Sequence, residues 1–122
     1  MSEVAGLPAT GPATLATVKA ELSYTTVDAA RDARLQLRVD AANAYVRTLP
    51  IASDALTYSV APPAWPPYVT MGATMLATRL WRRKDSPAGV EAYADTAVYV
   101  ARNDPDIAQL LKIGNYTPPR VG

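Results

Sequence analysis

The side chains of this sequence that could do chemistry are serines, lysines and two closely spaced acids. The 122-residue chain contains neither cysteine nor histidine. It therefore lacks a thiol nucleophile, the commonest acid–base group and the commonest metal ligand. Asp104 and Asp106 stand two residues apart, but no third ligand with suitable spacing accompanies them. The sequence predicts a protein that is not an enzyme and that uses no metal or cofactor.

The serines lack the surroundings of a catalytic nucleophile. Ser23, Ser53, Ser59 and Ser86 have no G-x-S-x-G context, and no histidine is present to act as their base. Nothing in the spacing supports a serine–lysine pair. The glycines match neither the phosphate-binding loop nor the dinucleotide-binding fingerprint. The sequence therefore favours a structural or binding role.

Helix formation accounts for Asp104 and Asp106. Residues 103–106 read Asn-Asp-Pro-Asp, which supplies an N-cap, a proline at the first helical position and an acid in the first turn. The pattern predicts a last helix from Pro105 to about Ile113, with Gly114 as its left-handed cap. The inward residues of this helix are Ile107, Leu110 and Leu111.

Apolar periodicity predicts three earlier helices. The first runs from Leu15 to about Leu22, after Thr14 as its N-cap. The second runs from Val27 to about Thr48 and ends before Pro50. Thr25 and Asp28 together resemble a capping box at its start.

The third helix is predicted from about Tyr68 to Arg83, after a proline-rich connection over residues 51–67. Small residues on its inner face would let another helix approach closely. Basic residues at its C-terminal end are favourably placed against the helix dipole. The inner face is Val69, Gly72, Ala73, Leu76 and Leu80, with Ala77 small as well, and the basic cluster is Arg79, Arg82, Arg83 and Lys84.

Residues 89–102 separate the third helix from the last one. Residues 97–101 read Ala-Val-Tyr-Val-Ala, which is partly strand-like, whereas the residues before them tolerate a helix. We expect a long, partly extended loop here. The expected fold is all-α: a small bundle of about four helices, with this loop before the last helix and flexible termini.

Length, net charge and the lengths of apolar runs indicate the number of domains and the partners that the sequence disfavours. A chain of 122 residues forms one domain, and a net charge of +1 gives no global field to hold nucleic acid or an anionic membrane. No apolar run is long enough for a membrane span, and the N-terminus does not read as a signal peptide. We predict a flexible arm over residues 1–12, a helical domain over 13–114 and a tail over 115–122.

Three pieces of the sequence resemble the head–tail connectors of long-tailed phages, especially those of phages that infect actinobacteria. The first is the short helix followed by a long, charged, alanine-rich helix over residues 13–50. The second is the third helix running into residues 81–91, Trp-Arg-Arg-Lys-Asp-Ser-Pro-Ala-Gly-Val-Glu. The third is the closing module over residues 102–111, which contains D-P-D-I-x-x-L-L. The match depends on order and spacing, and residues 93–100 depart most from the pattern.

The resemblance implies a subunit that forms a homo-oligomeric ring below the portal protein, extends the DNA channel and joins the next neck or tail protein. Double-stranded DNA would pass through this ring without specific binding. The protein would be assembled in the host cytoplasm and reside in the virion at the head–tail junction. It would have no membrane partner and no catalytic role.

Three sets of residues are candidates for these contacts. The basic cluster Arg79, Arg82, Arg83 and Lys84 either faces the DNA channel or simply caps the helix and is solvated. The candidate subunit interface is Trp81, Tyr93, Val98, Tyr99 and Val100, including possible edge pairing by residues 97–100. For Trp81 the alternative is that it fills the core. The candidate portal-contacting tail residues are Tyr116, Pro118, Pro119 and Arg120; the alternative is a disordered tail.

Two other functions stay open. The chain could be a different helical neck or packaging protein of a phage. It could also be a small DNA-binding regulator, although the mixed charges on the long helix fit this function poorly.

Overall fold

The protein was analysed as a computed structural model, which describes residues 7–59, 62–83 and 90–116. Side chains in the last range are described from Ala97 onward, except that of Asn115. Within these ranges the chain forms six α-helices and no strand, so the predicted all-α class is confirmed. The helices are α1 (Leu15–Glu21), α2 (Ala29–Arg47), α3 (Asp54–Tyr58), α4 (Pro67–Arg82), α5 (Val90–Asn103) and α6 (Pro105–Leu111), with 3-10 turns at Pro50–Ser53 and Gly114–Tyr116.

Helix α4 lies at the centre of the packing and contacts α1, α2, α5 and α6. Its predicted inner face is buried, because Val69, Ala73 and Leu76 are fully inaccessible and Leu80 is almost so. Burial of such side chains stabilises the fold by roughly 1.5–3 kcal/mol for each large aliphatic group. The helices around α4 therefore share one hydrophobic core.

The first two helices begin close to their predicted positions. Thr14 caps α1, and its hydroxyl accepts a hydrogen bond from the Thr17 amide at 3.1 Å. At α2 the predicted Thr25–Asp28 capping box is wrong, because Asp28 itself is the N-cap and accepts from the Arg31 amide at 3.0 Å. A carboxylate one position before the first helical turn can satisfy that free amide without help from a second side chain.

The proline-rich connection holds more regular structure than the sequence predicted. A 3-10 turn over Pro50–Ser53 leads directly into α3, Asp54–Tyr58. Ile51, Ala52 and Ala55 are buried there. Their burial provides the tertiary stabilisation that a five-residue helix does not have alone.

The largest correction concerns residues 89–102. We predicted a long, partly extended loop, but Val90–Asn103 is helix α5, so the bundle has an additional long helix and residues 97–100 cannot pair as a strand edge. Ala97, Val100 and Ala101 are all buried, at the three- and four-residue spacing of a helix face. Packing against α2 and α4 outweighs the β propensity of the valines.

Helix α6 closes the core against α4, where the predicted close approach is confirmed at Gly72. A Cβ atom at Gly72 would lie 2.8 Å from Cδ2 of Leu111. Asp104 is the N-cap of α6, as predicted. The left-handed C-cap is Lys112, however, with φ of 55°, so the predicted cap at Gly114 is misplaced by two residues.

No helix within the described ranges combines the length and the apolar character needed to cross a membrane.

Candidate assembly surfaces and the basic cleft

The predicted basic cluster lies at the C-terminal end of α4. Arg79 and Arg82 are in the last turn and Arg83 is the C-cap, where cations interact favourably with the helix dipole. Arg82 and Arg83 are exposed. Lys84, the fourth predicted member, lies outside the described residues.

Arg79 differs from the other two arginines because it forms an ion pair. Its Nε atom lies 3.0 Å from Oδ2 of Asp104. The other oxygen of Asp104 accepts from the amides of Asp106 and Ile107 at the start of α6. Arg79 is therefore compensated, and its role is to join α4 to α6 rather than to contribute a free positive charge.

The exposed arginines border a cleft of about 460 Å³ between α4 and α5. The guanidinium of Arg83 stacks 5.5 Å from the ring centre of Tyr99. Such a cleft offers two cations to an anion, while Asp104 supplies a negative charge in the same lining. The cleft is lined by Arg79, Arg82, Arg83, Tyr99, Val100, Asn103, Asp104 and Pro105.

Helix α5 presents part of the predicted subunit interface. Val98 is 38% exposed and Tyr99 is 58% exposed, so both are accessible to a partner. Val100 faces the core instead and is only 7% exposed. Tyr93 is part of α5, but its side chain is not among those that the structure describes.

Trp81, another predicted interface residue, fills the core of its own chain. It is 5% exposed, and its indole N–H donates to the Tyr24 hydroxyl at 3.0 Å. The two rings meet edge to face, with centres 6.4 Å apart. An interface role for Trp81 is therefore corrected: the residue follows Leu80 off the inner stripe, but Tyr24, in the segment after α1, and Arg38 of α2 pack against its ring.

The structure has a second apolar surface, which the sequence did not lead us to predict. The α1–α4 groove, of about 640 Å³, lies between the two helices, with Trp65 near the start of α4. Met71 is 57% exposed in it, and Met75 is partly buried. The groove is lined by Thr17, Ala20, Glu21, Trp65, Pro67, Thr70, Met71, Thr74, Met75 and Arg79.

The signal for this groove was present on α4. Tyr68, Met71 and Met75 follow each other at three- and four-residue spacing, and Arg79 and Arg82 continue the row. Residues at this spacing share one helix face. At roughly 100° per residue, this face lies about a third of a turn from the predicted core stripe, so α4 is apolar on two sides at its beginning, which is typical of a helix with a second packing partner.

Near the N-terminus, residues 8–13 lie along α2 and form what we call the N-terminal strap. The Asn43 amide group binds both main-chain groups of Ala13: Oδ1 accepts from the Ala13 amide at 2.9 Å, and Nδ2 donates to its carbonyl at 2.8 Å. Asn43 also sits against Gly11, where a Cβ would lie 2.2 Å from Nδ2. The strap up to Pro12 lies in the segment that we predicted as a flexible arm, and Ala13 begins the predicted helical domain; the sequence did not indicate these contacts.

Two further side chains bind the strap. Arg47 donates to the carbonyls of Pro8 and Ala9 at 2.9 and 3.0 Å, and the indole N–H of Trp65 donates to the carbonyl of Thr10 at 2.7 Å. The Arg47 guanidinium also lies 5.5 Å from the Trp65 ring centre, a favourable cation–π distance. All of these hydrogen bonds are made to main-chain groups of the strap.

Of the predicted tail contacts, only Tyr116 is described. It ends the short 3-10 turn Gly114–Tyr116 and is 44% exposed, so it is accessible to a partner. Pro118, Pro119 and Arg120 lie outside the described residues.

Two carboxylates of the described chain join elements of the fold by accepting hydrogen bonds. The hydrogen bond from Lys19 lowers the pKa of Asp32, joining α1 to α2 at 3.0 Å. The carboxylate of Asp54 accepts from the Tyr68 hydroxyl at 2.6 Å and raises the pKa of Tyr68 to about 12. Across the ranges that the structure describes, no three acidic side chains form a cluster that could hold a metal ion.

No protein-family model, curated protein or solved structure shows significant similarity to this chain.

Proposed function

We propose that this chain is a non-enzymatic head–tail connector subunit of a tailed phage, which assembles into a ring below the portal and extends the DNA channel. The ring would offer a platform to the next neck or tail protein. Its location would be the head–tail junction of the virion, after assembly in the host cytoplasm. The resemblance carried by the motifs of residues 81–91 and 102–111 supports this proposal.

The observation that carries the proposal is the presence of two separate exposed apolar surfaces. One is the α1–α4 groove around Met71 and Met75, and the other is the α5 surface of Val98 and Tyr99. A ring needs two different patches that meet head to tail, whereas a two-fold dimer needs only one self-complementary patch. Methionines suit such an interface because their flexible side chains adapt to a partner.

The charge distribution fits a channel that lets DNA slide. Asp104 compensates Arg79, so the described part of the basic cluster offers Arg82 and Arg83. Each neutralised phosphate adds to DNA affinity, so the small number of exposed cations in the described part of this cluster favours passage over retention. We place Arg82 and Arg83, rather than Arg79, toward the DNA.

Electron cryomicroscopy of the virion neck tests the function directly. We expect ring density between portal and tail that accommodates α4 and the helices around it. A well-resolved neck without this chain would reject the connector function. Density elsewhere in the neck or packaging apparatus would favour the alternative of another helical phage structural protein.

Charge substitutions test the two-patch interface. Met71→Lys should remove one patch and Val98→Lys the other, so neither variant alone should form rings. Mixed together, each keeps one intact patch, and the mixture should yield pairs that do not close, measured by native mass spectrometry. Val27→Lys is the matched control, because Val27 is 87% exposed and lies on neither surface.

Two other results would contradict the assigned interface or favour a different function. Rings from either single variant would contradict the assigned patches. A small DNA-binding regulator would instead give tight, salt-sensitive electrophoretic shifts that are lost in an Arg82→Gln/Arg83→Gln variant. We expect weak shifts that do not depend on sequence.

A further inference from the structure

Trp65 belongs to two surfaces at once. Its ring forms part of the α1–α4 groove, and its indole N–H donates to the Thr10 carbonyl of the N-terminal strap. The residue lies outside the helices, in the connection before α4 between Pro62, Pro63 and Pro66, so its ring is positioned by side-chain contacts, which include packing against the hydrophobic core. The contacts of Trp65 with the strap therefore contribute to the position of its ring in the groove.

Arg47 reinforces this connection. One terminal nitrogen of its guanidinium donates to the carbonyls of Pro8 and Ala9, while the guanidinium carbon lies 5.5 Å from the Trp65 ring centre. The strap thus fixes Arg47, and Arg47 and Thr10 together constrain Trp65. Loss of the strap would remove two of the contacts that orient the indole.

The strap is held in a way that permits release without unfolding. Its hydrogen bonds from Arg47 and Trp65 are exposed or only partly buried, and water can replace such bonds at a net cost of about 1 kcal/mol each. Pro8, Pro12 and Ala13 of the strap are themselves buried, and Ala13 belongs to the hydrophobic core, but most of the largest buried side chains belong to the helices. Segments of this kind open at lower free energy than the core does.

We propose that the N-terminal strap is a conformational control of the α1–α4 groove: when bound along α2 it holds Trp65 as a groove wall, and when released it leaves the groove open at that end. Binding in the groove and binding of the strap then favour each other. Coupling of two sites is reciprocal, so a molecule in the groove stabilises the bound strap by the same factor by which the strap strengthens its binding. The inference does not depend on the connector function.

The position of Trp65 is tested in the full-length chain labelled with 5-fluorotryptophan. Two fluorine resonances are expected, and Trp65→Phe identifies the one from Trp65. Gly11→Ala should move the Trp65 resonance toward the value of solvent-exposed indole, because the added methyl group collides with Asn43. The Trp81 resonance should stay in place. Thr10→Ser is the matched control, since Thr10 is exposed and contributes only its carbonyl to Trp65.

Groove binding is measured with the uncharged apolar dye N-phenyl-1-naphthylamine, counting only the binding that Met71→Lys removes. Gly11→Ala should weaken this binding by about fivefold, within the usual range of coupling between sites, while Thr10→Ser leaves it unchanged. Saturating dye should in turn slow exchange of the Ala13 amide, which is bonded to Asn43, by a similar factor.

Arg47→Gln provides a second variant if Gly11→Ala disturbs folding, and circular dichroism verifies the helix content of both. An unmoved Trp65 resonance in folded Gly11→Ala and Arg47→Gln would overturn the proposal. So would unchanged dye affinity, or Ala13 exchange that does not respond to dye. Ring assembly is not a readout in these experiments, so their failure leaves the connector function to its own tests.

Discussion

The two faces of helix α4 are built from different residues and have different partners. The inner face consists of small and aliphatic residues, and Gly72, Ala73 and Leu76 pack without gaps against neighbouring helices. The outer face begins with Tyr68 and Met71 and ends with arginines. Its apolar half stays accessible along the α1–α4 groove.

The difference shows which residues stabilise the fold and which are accessible for binding a partner. At Gly72 on the inner face even one added methyl group would meet Leu111, whereas Met71 is more than half exposed. Substitutions on the inner face should therefore change stability, and substitutions on the outer face should change assembly. Three predictions sharpen this comparison, beginning with the largest effect.

Gly72→Val on the inner face should lower the free energy of unfolding by about 1–3 kcal/mol, because added volume in a packed core forces its neighbours to move. Leu111→Ala alone should lower it by about 2–5 kcal/mol. In the double variant the valine side chain enters the space left by Leu111, so the two losses should sum to less than their separate values. Urea unfolding of the four chains measures this coupling.

The matched control is Thr70→Val, which also places valine in α4 but at a partly exposed position of the groove. It should change stability by no more than about 0.5 kcal/mol. Strict additivity of Gly72→Val and Leu111→Ala would contradict the close approach of α4 and α6.

Asp104 connects the outer face to α6, and its two functions are separable. Asp104→Ala removes both the N-cap, which contributes about 1 kcal/mol, and the partner of Arg79, which contributes less than about 1 kcal/mol. Asp104→Asn keeps a capping oxygen and removes only the charge. Thermal unfolding should therefore rank the chains native, Asn, Ala in decreasing stability, and equal losses in the two variants would exclude a capping contribution.

Tyr68 should give the smallest effect, which appears only at high pH. Its hydrogen bond to the Asp54 carboxylate raises its pKa from 10.0 to about 12, so the folded state holds this proton more tightly than the unfolded state does. The stabilisation is complete below pH 10 and is lost as pH rises to about 12. The stability difference between the native chain and Tyr68→Phe should shrink across that interval in urea titrations, and a constant difference would contradict the assigned hydrogen bond.

The sequence was sufficient to predict those features that are formed by residues close together in the chain. The proline and acids at residues 104–106 predicted the start of α6, and the inner stripe of α4 predicted its buried side chains. Caps and periodicity act within one or two turns, so they can be read without knowledge of the partner elements.

The remaining features depend on contacts between distant residues. Residues 97–101 appear strand-like alone, and only burial of Ala97 and Ala101 against other helices makes α5 the better structure. Asn43 binds Ala13 across thirty positions, which no local pattern signals. Trp81 was a candidate interface residue, yet the fold buries it in the core, and it is Trp65 that contacts the strap and lines the groove.

The way the strap is recognised also determines how its sequence can diverge. Residues 8, 9 and 10 contribute carbonyl oxygens to Arg47 and Trp65, and every amino acid has this group. Position 11 is the exception, because any side chain there would meet Asn43. Descendants of this chain could therefore exchange the exposed residues 9 and 10 widely and keep the strap, provided that a glycine stays at position 11.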